Sequence, residues 1–332
     1  MSAGKTGVLL VQLGGPTKRE ELKGFLYRLF ADPEILGIPF APLRKAIAWT
    51  IATTREAESA KTYEKIGWSP IRCWTEKSAI LLEAALAPSW PGEPPIVRSA
   101  MTCSAPLVEE VLPSLHAAGV TRLFVLPLYP QYSVTTTKGS FARVDEALSR
   151  MGWSPERVNA PDSWYAEPRF LDAHADRILA AAALLPDPEP AATVLLYSAH
   201  SLPVSTVEKK KDPYPRQIEE CCALVDERLG RRFRSRLGYQ SKLGPVAWLG
   251  PSTGEVLAEL AREGVKQVVV CPIAFVSDHV ETLYEIRMLF AEEARAAGIT
   301  HYVAADGLND HPAFVDALAD VCRKALLAPG AR

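Results

Sequence analysis

One histidine and one pair of glutamates in this chain have types and spacing suited to proton or metal chemistry. His200 follows directly on an apolar run, in Ser198-Ala-His200-Ser-Leu-Pro203. Imidazole titrates near neutral pH, so it can take up a proton and can also ligate a metal. An ordinary hydrogen-bonded loop histidine fits the same position equally well. Glu281 opens a helical stretch, and Glu285 lies one turn on, on the same face. A carboxylate stripe of this kind could guide a cation or collect protons. A plainer use is also open. Asp278 suits an N-cap and Glu281 stands three residues after it, the spacing of a capping box on an amphipathic surface helix.

Other candidates are weaker. Gly14-Gly15 could bring backbone close to a phosphate, but no G-x-G-x-x-G and no Walker lysine accompanies it. Thr135–Ser140 is rich in hydroxyls and could meet an anion or be a solvated loop. Lys209-Lys210-Lys211 reads as a solvated loop. The six cysteines form no C-x-x-C pair, which argues against a zinc or redox centre and suits small buried hydrophobes in a reducing cytoplasm.

The elements that must position these residues show themselves as repeats. Gly119-Val-Thr-Arg-Leu-Phe-Val-Leu-Pro127 resembles Gly264-Val-Lys-Gln-Val-Val-Val-Cys-Pro272 at an offset of 145 residues. Pro168-Arg-Phe-Leu-Asp-Ala-His-Ala-Asp176 resembles Pro312-Ala-Phe-Val-Asp-Ala-Leu-Ala-Asp320 at an offset of 144, with six of nine positions identical. Val8-Leu-Leu-Val has a looser counterpart in Val194-Leu-Leu-Tyr. Two halves on one plan are expected.

Strands are expected at 7–13, 96–103, 122–128, 192–199, 236–241, 267–275 and 300–304. Helices are expected at 79–87, 109–118, 170–184, 218–229, 255–263 and 281–297. The clearest strand runs are rich in Val, Ile and Leu, as strands buried on both faces require. The alternation predicts right-handed βαβ units and an α/β fold of two similar, doubly wound, Rossmann-like domains, each with a parallel sheet of roughly four strands. Ligands of such sheets bind beyond the carboxyl ends of the strands, where His200, Gln240-Ser241-Lys242 and Ser277–Glu281 fall. The expected domains are 1–165 plus 312–332, and 166–311, with a cleft between the two halves.

The composition is that of an ordinary globular protein: 332 residues, 48% hydrophobic, 23% charged, with a formal net charge of −2. Without a long basic run, no nucleic-acid partner is expected. No apolar stretch reaches 18 residues, and the run after Met-Ser-Ala-Gly-Lys reads as a first strand and not as a signal peptide.

Taken in order along the chain, several motifs resemble the ferrochelatase family. They are Leu13-Gly-Gly-Pro16, Tyr129-Pro-Gln-Tyr-Ser133, Ser198-Ala-His200-Ser-Leu-Pro203, Asp212-Pro-Tyr214-Pro215, Gln240-Ser-Lys242-Leu-Gly-Pro245, Trp248-Leu-Gly-Pro251, Pro272-Ile-Ala-Phe275 and Ser277-Asp-His279-Val-Glu281-Thr-Leu283. The similarity runs from about residue 7 to 325. It implies insertion of Fe²⁺ into a porphyrin with release of two protons, the terminal step of haem synthesis. His200 then matches the active-site histidine, as proton acceptor or metal ligand. Glu281 matches its partner carboxylate, and Glu285 with Asp278 matches an acidic path. Leu13, Arg55, Ser69, Ile71, Tyr129, Leu202, Pro203, Tyr214, Ser241, Lys242, Trp248 and His279 match positions around the macrocycle, Arg55 near a propionate.

The resemblance also sets expectations about partners. Fe²⁺ is a substrate and no permanent cofactor is needed. A [2Fe–2S] cluster is not expected, because the tail after Cys322 adds no cysteine and Val134 replaces another ligand of cluster-bearing relatives. Leu289 stands where the acid stripe often continues, Thr102-Cys103 replaces a common Arg-Tyr pair, and Leu13 replaces a Met of some members. Residues 30–55 mix Phe30, Ile35, Phe40, Leu43 and Trp49 with Arg44, Lys45 and Arg55. They are expected to form a lip of the pocket that touches a membrane surface. A monomer in the cytoplasm, peripheral at the membrane face, is the expected state. The other readings are coproporphyrin III as substrate, cobalt insertion into sirohydrochlorin, and a two-lobed tetrapyrrole-binding protein without catalysis.

Overall fold

The computed structural model describes residues 4–327 apart from 188, 189, 243 and 245. Leu243 and Pro245 of the 240–245 motif, and the tail beyond Leu327, therefore lie outside the described residues. The chain divides into two compact units, Met1–Trp164 with Val315–Arg332, and Tyr165–Phe314.

In the first unit β1 (Lys5–Gln12) leads through α1 (Arg19–Ala31), the short α2 (Pro33–Leu36), α3 (Ala41–Lys65) and α4 (Ile71–Leu86) to β2 (Ile96–Met101). Then come α5 (Val108–Ala117), β3 (Val120–Pro127), a π-helical turn at Val134–Lys138 that runs into α6 (Gly139–Met151), and β4 (Glu156–Asn159). The strands pair in the order β2-β1-β3-β4, all parallel. The centre of β1 is buried on both faces, because helices cover both sides of a parallel sheet. On one of those faces Leu9, Val11, Leu112, Leu115, Leu123 and Val125 form an apolar cluster with α5 and α6.

The second unit repeats the plan. Its elements are α7 (Pro168–Ala182), β5 (Thr193–His200), α8 (Val204–Lys210), α9 (Tyr214–Arg228), β6 (Arg234–Gln240), α10 (Thr253–Arg262) and β7 (Gln267–Cys271). A π-helical segment at Glu281–Leu289 continues into α11 (Phe290–Ala297), followed by β8 (His301–Ala304). The order β6-β5-β7-β8 has the same form as that of the first sheet. Leu196, Val256, Leu260, Val268, Val270, Ile286 and Phe290 fill one side of this sheet. The last helix, α12 (Pro312–Leu327), starts in the second unit and continues into the first.

The repeats seen in sequence are therefore structural. The 119–127 and 264–272 segments form β3 and β7, and the 168–176 and 312–320 segments open α7 and α12.

Several expectations need correction. The 281–297 stretch is not one regular helix but a π-helical segment followed by an α-helix. β4 escaped notice because its four residues, Glu-Arg-Val-Asn, include one apolar side chain. The helix expected at 79–87 begins at Ile71, directly after Pro70, and the 25-residue helix α3 begins inside the 30–55 lip and runs on to Lys65. Five cysteines are buried, but Cys73 is exposed. Among the described residues no helix is long and apolar enough to cross a membrane.

Close packing at the end of β6 depends on one glycine. A Cβ at Gly238 would come within 2.8 Å of Thr253 Cα, a backbone atom that cannot swing aside. Gly238→Ala should therefore lower the unfolding free energy by about 1–3 kcal/mol, as overpacking does. Urea titration measures this, and an unchanged midpoint would show that β6 and α10 have room to part.

Candidate active site

The carboxyl ends of β5, β6 and β7 place their following residues together in the second unit. β5 ends on His200. Its imidazole Nδ1 lies 2.8 Å from Glu281 Oε2, carried on the first turn of the π-helical segment. Tyr214, at the start of α9, donates its hydroxyl to the His200 carbonyl at 3.1 Å and fixes the backbone from below. β6 ends on Gln240, and Ser241 follows in the left-handed region, at φ 65°. That turn aims the Ser241 hydroxyl at two acids. It lies 2.8 Å from Glu281 Oε2 and 2.8 Å from both Glu285 oxygens.

Gln240 supports the same group from behind. Its Oε1 accepts the Ser198 hydroxyl at 2.6 Å, while its Nε2 donates to the Glu281 carbonyl at 3.2 Å and to Glu285 Oε2 at 3.4 Å. The amide orientation is thus set from β5, and it reaches a carbonyl of the π-helical turn. Such turns recur where a helix carries functional groups.

The charges decide what the site can do. Burial works against an ionised Glu281, but the charge and hydrogen bond of His200, with a further contribution from His279, hold its carboxyl well below the usual range. Burial pulls His200 down. The Glu281 charge and hydrogen bond outweigh that pull, and the imidazole titrates above its ordinary value. Solvent reaches 35% of the His200 side chain, which weakens the downward pull of burial further. His279 is also raised: burial lowers it, and the contact with Glu281 more than compensates. Glu285 goes the other way. Burial, then the neighbouring Glu281 charge, push it up to about 7.

With Glu281 ionised, His200 donates through Nδ1. Neutral His200 therefore presents an unprotonated Nε2, the atom that can accept a proton or hold a metal. His279 is arranged differently. Its Nδ1 donates to the Ser277 carbonyl at 2.9 Å, and its Nε2 stands 3.8 Å from Glu281 Oε1.

The remaining candidates fall into three groups. Leu202, Pro203 and Trp248 are brought together by backbone ties, Leu249 N–H to Leu202 O at 3.0 Å and a bridge between Pro203 and Trp248. Lys242 is exposed and lies 4.0 Å from Glu255, on the outer side of α10. In the first unit, Leu13, Ser69, Ile71 and Tyr129 gather around the Gly14-Gly15 turn. Ser69 N–H donates to Pro16 O at 3.0 Å, and a Cβ on Gly15 would meet Ser69 Cβ at 2.8 Å. The Tyr129 hydroxyl, pushed up by burial, meets Ser140 and the Leu13 backbone. Arg55 lies on the exposed side of α3.

The capping-box reading of Asp278 and Glu281 is corrected. No side chain caps the π-helical segment. Asp278 instead accepts the Thr282 hydroxyl and the Asn309 amide, both at 2.8 Å, and Glu281 turns to His200. Sequence reasoning gave no role to Gln240, Ser198, Thr282 or Asn309. Gln240 could have been found from its strand-end place beside Ser241.

Comparison with known proteins decides the family. The ferrochelatase family model matches residues 5–326. The chain belongs to the ferrochelatase family. Ferrochelatases are enzymes of haem biosynthesis that insert metal into a porphyrin, and this chain is one of them by descent. The ferrochelatase of Synechococcus elongatus is 41% identical over 331 residues, covering 98% of this chain and 84% of that one. That of Gloeobacter violaceus is 41% identical over 323 residues, covering 96% of each.

Among solved structures, SirB from Bacillus subtilis with Fe³⁺ superposes with a TM-score of 0.58 at 14% identity, covering 97% of this chain and 95% of that one. CbiX, the terminal enzyme of sirohaem biosynthesis in denitrifying bacteria, gives 0.53 at 15% identity, covering 96% and 99%. These two likenesses speak for the shared chelatase fold alone.

The retained proton has a consequence for stability. An unfolded glutamate loses its proton near 4.5, whereas folded Glu285 keeps it to about 7. Between those values the native state binds more protons, so stability falls as pH rises across that window. His200 and His279, both raised from 6.5, act in the same direction as pH climbs through their folded values. Glu281 acts oppositely: its contribution is present above 4.5 and lost as pH falls through its lowered value. Glu285→Gln should make the decline between pH 4.5 and 7 shallower. Urea unfolding at a series of pH values measures the slope, and an unchanged slope would place the retained proton elsewhere.

Proposed function

We propose that this enzyme inserts ferrous iron into protoporphyrin IX to give protohaem, with His200 as proton acceptor and Glu281 as its charged partner. The 2.8 Å contact between His200 Nδ1 and Glu281 carries the reading, because it leaves Nε2 as the unprotonated, basic atom of the neutral ring. Insertion replaces two pyrrole N–H protons by one Fe²⁺, so two protons must leave. The first passes to His200 Nε2, where the resulting imidazolium is stabilised by the Glu281 carboxylate, the second passes to the ionised form of Glu285, and both are then released to solvent. Ser241 bridges Glu281 to Glu285, whose value near 7 suits a group that takes and gives protons at neutral pH.

A planar porphyrin keeps its inner nitrogens out of reach. Trp248, Leu202, Pro203 and Tyr214 of the second unit are proposed to press on the ring and bend it so that its lone pairs open toward the metal. Arg55 is proposed to meet a propionate. Before it takes a proton, neutral His200 forms with Glu281 a small, hard-to-borderline N/O donor set. It holds Fe²⁺ loosely, which suits delivery and not storage. Iron is a substrate in this scheme, and neither an iron–sulfur cluster nor another resident cofactor enters it.

The exposed apolar side chains Ile35, Phe40, Leu43 and Trp49 support contact with a membrane surface, from which a greasy porphyrin could be taken. A cytoplasmic monomer, peripheral at that surface, completes the proposal.

Anaerobic mixing with Fe²⁺ and either protoporphyrin IX or coproporphyrin III, followed by absorption, tests substrate and activity together. Metalloporphyrin bands should grow faster with protoporphyrin. The opposite ranking would assign the tetracarboxylate, and shifted porphyrin bands without metalation would describe a binder. His200→Ala should reduce turnover by roughly 10²-fold or more, the usual weight of a general base, while the porphyrin still binds by fluorescence quenching. Glu281→Gln should do nearly the same, and Lys211→Ala should change little. Turnover near normal in His200→Ala would remove the proposed base.

A further inference from the structure

The segment that presents Glu281 has no cap of its own, yet its position is fixed by buried hydrogen bonds. Asn309, in the loop after β8, grips Asp278 at two points. Its Oδ1 accepts the Asp278 backbone N–H at 2.8 Å, and its Nδ2 donates to Asp278 Oδ2 at 2.8 Å. The other Asp278 oxygen accepts the Thr282 hydroxyl at 2.8 Å. Thr282 Oγ1 in turn accepts the His279 backbone N–H at 3.0 Å. Asn309, Asp278 and Thr282 are all buried. The chain of bonds thus encloses residues 278–282, and Glu281 is the one carboxylate within it that stays available to His200.

The backbone of the 305–311 loop is shaped for this contact. Asn309 sits in the left-handed region at φ 48°, and its N–H donates to Val276 O at 2.8 Å. Gly307 packs so closely that a Cβ there would lie 3.0 Å from the Asp278 nitrogen. Holding a non-glycine residue in this conformation costs free energy, and so does burying an amide and a carboxylate. Such costs persist where the arrangement is needed. A purely structural join between two loops could be made by apolar packing, with no two-point grip on one backbone position.

We propose that Asn309 is a positioning residue for the metal-insertion reaction, acting through Asp278 and Thr282 to set the first π-helical turn so that Glu281 meets His200. This rests on reading His200 and Glu281 as the reacting pair. Loss of the grip lets the turn relax and lengthens the 2.8 Å contact, while Trp248, Leu202, Pro203 and Tyr214, carried on other elements, stay in place. Supporting hydrogen bonds around a metal-handling site typically carry 10- to 100-fold in activity, which is the effect expected here.

Asn309→Gly is the informative variant, because glycine accepts the left-handed backbone while the amide is removed. It should lower kcat by about 10- to 100-fold with the porphyrin KM changed by less than twofold. Thr282→Val should do the same, and Thr282→Ser, which keeps the hydroxyl, should restore most of the rate. If Asn309→Gly is too unstable to purify, the Thr282 pair decides. Wild-type kcat in Asn309→Gly, or an equal loss in Thr282→Val and Thr282→Ser, would overturn the inference. So would a rise in porphyrin KM that accounts for the whole loss. His200→Ala measured alongside separates the two readings. Turnover retained in that variant defeats the assignment of the base, whereas an inactive His200→Ala beside a fully active Asn309→Gly defeats the positioning role alone.

Discussion

The hydrogen bond between His200 and Glu281 is the constraint around which the second unit is organised. Burial disfavours both charges, and each survives because the other is 2.8 Å away. The effect spreads to neighbours. With Glu281 ionised and partnered, a second carboxylate in the same place is penalised twice, by burial and by like charge, and Glu285 answers by keeping its proton. Ser241 cannot supply that proton. It has one hydroxyl hydrogen and faces three carboxylate oxygens at 2.8 Å, so at least one of those contacts requires a protonated acid or a cation. Under the proposed function, protons and the incoming Fe²⁺ would compete for these same oxygens.

Duplication explains the frame but not the chemistry. Both sheets run second–first–third–fourth, and in both units the third strand leads to a π-helical turn, at Val134–Lys138 and Glu281–Leu289. In the first unit that turn carries Val-Thr-Thr-Thr-Lys, and in the second Glu-Thr-Leu-Tyr-Glu. Only the second has two acids to set against an imidazole at the end of the first strand, where β1 has Gln12 and β5 has His200. The same backbone plan thus offers equivalent strand-end positions, and side-chain type alone sets an imidazole against two acids at one of them.

Much of this was legible in the sequence, and the parts that were not have physical reasons. The central strands announced themselves as apolar runs because both faces are buried, and the strand-end rule then pointed to His200, Ser241 and Glu281 from chain position. β4 was invisible because four residues with one apolar side chain give no periodicity. α3 was not legible as a helix because its exposed Leu43 and Trp49 blur the polar–apolar alternation that marks a surface helix. The link from Ser241 to the acids was not legible. Its φ of 65°, which turns the hydroxyl onto Glu281 and Glu285, has no signature in a non-glycine residue. Asn309 was silent for a similar reason. A polar residue in a loop after an edge strand looks solvated, and its burial is set by a loop thirty residues earlier in the chain.

Two segments of the second unit share the acid-at-three spacing of a capping box and resolve it in opposite ways. Ahead of α10, Ser252 Oγ accepts the Glu255 N–H at 3.2 Å and Glu255 accepts the Ser252 N–H at 2.6 Å. That glutamate turns back onto its own helix end, with Lys242 4.0 Å away, and lies at the surface. At Asp278 and Glu281 the first residue is withdrawn: Asn309 and Thr282 take both oxygens of Asp278, and Asn309 takes its N–H as well. With the Asp278 N–H already satisfied, Glu281 has no donor to reach back to. The nearest remaining partners are the His200 imidazole and the Ser241 hydroxyl. A local motif that elsewhere only stabilises a helix end is in this way converted into an available carboxylate, and the conversion is made by one amide side chain from a distant loop.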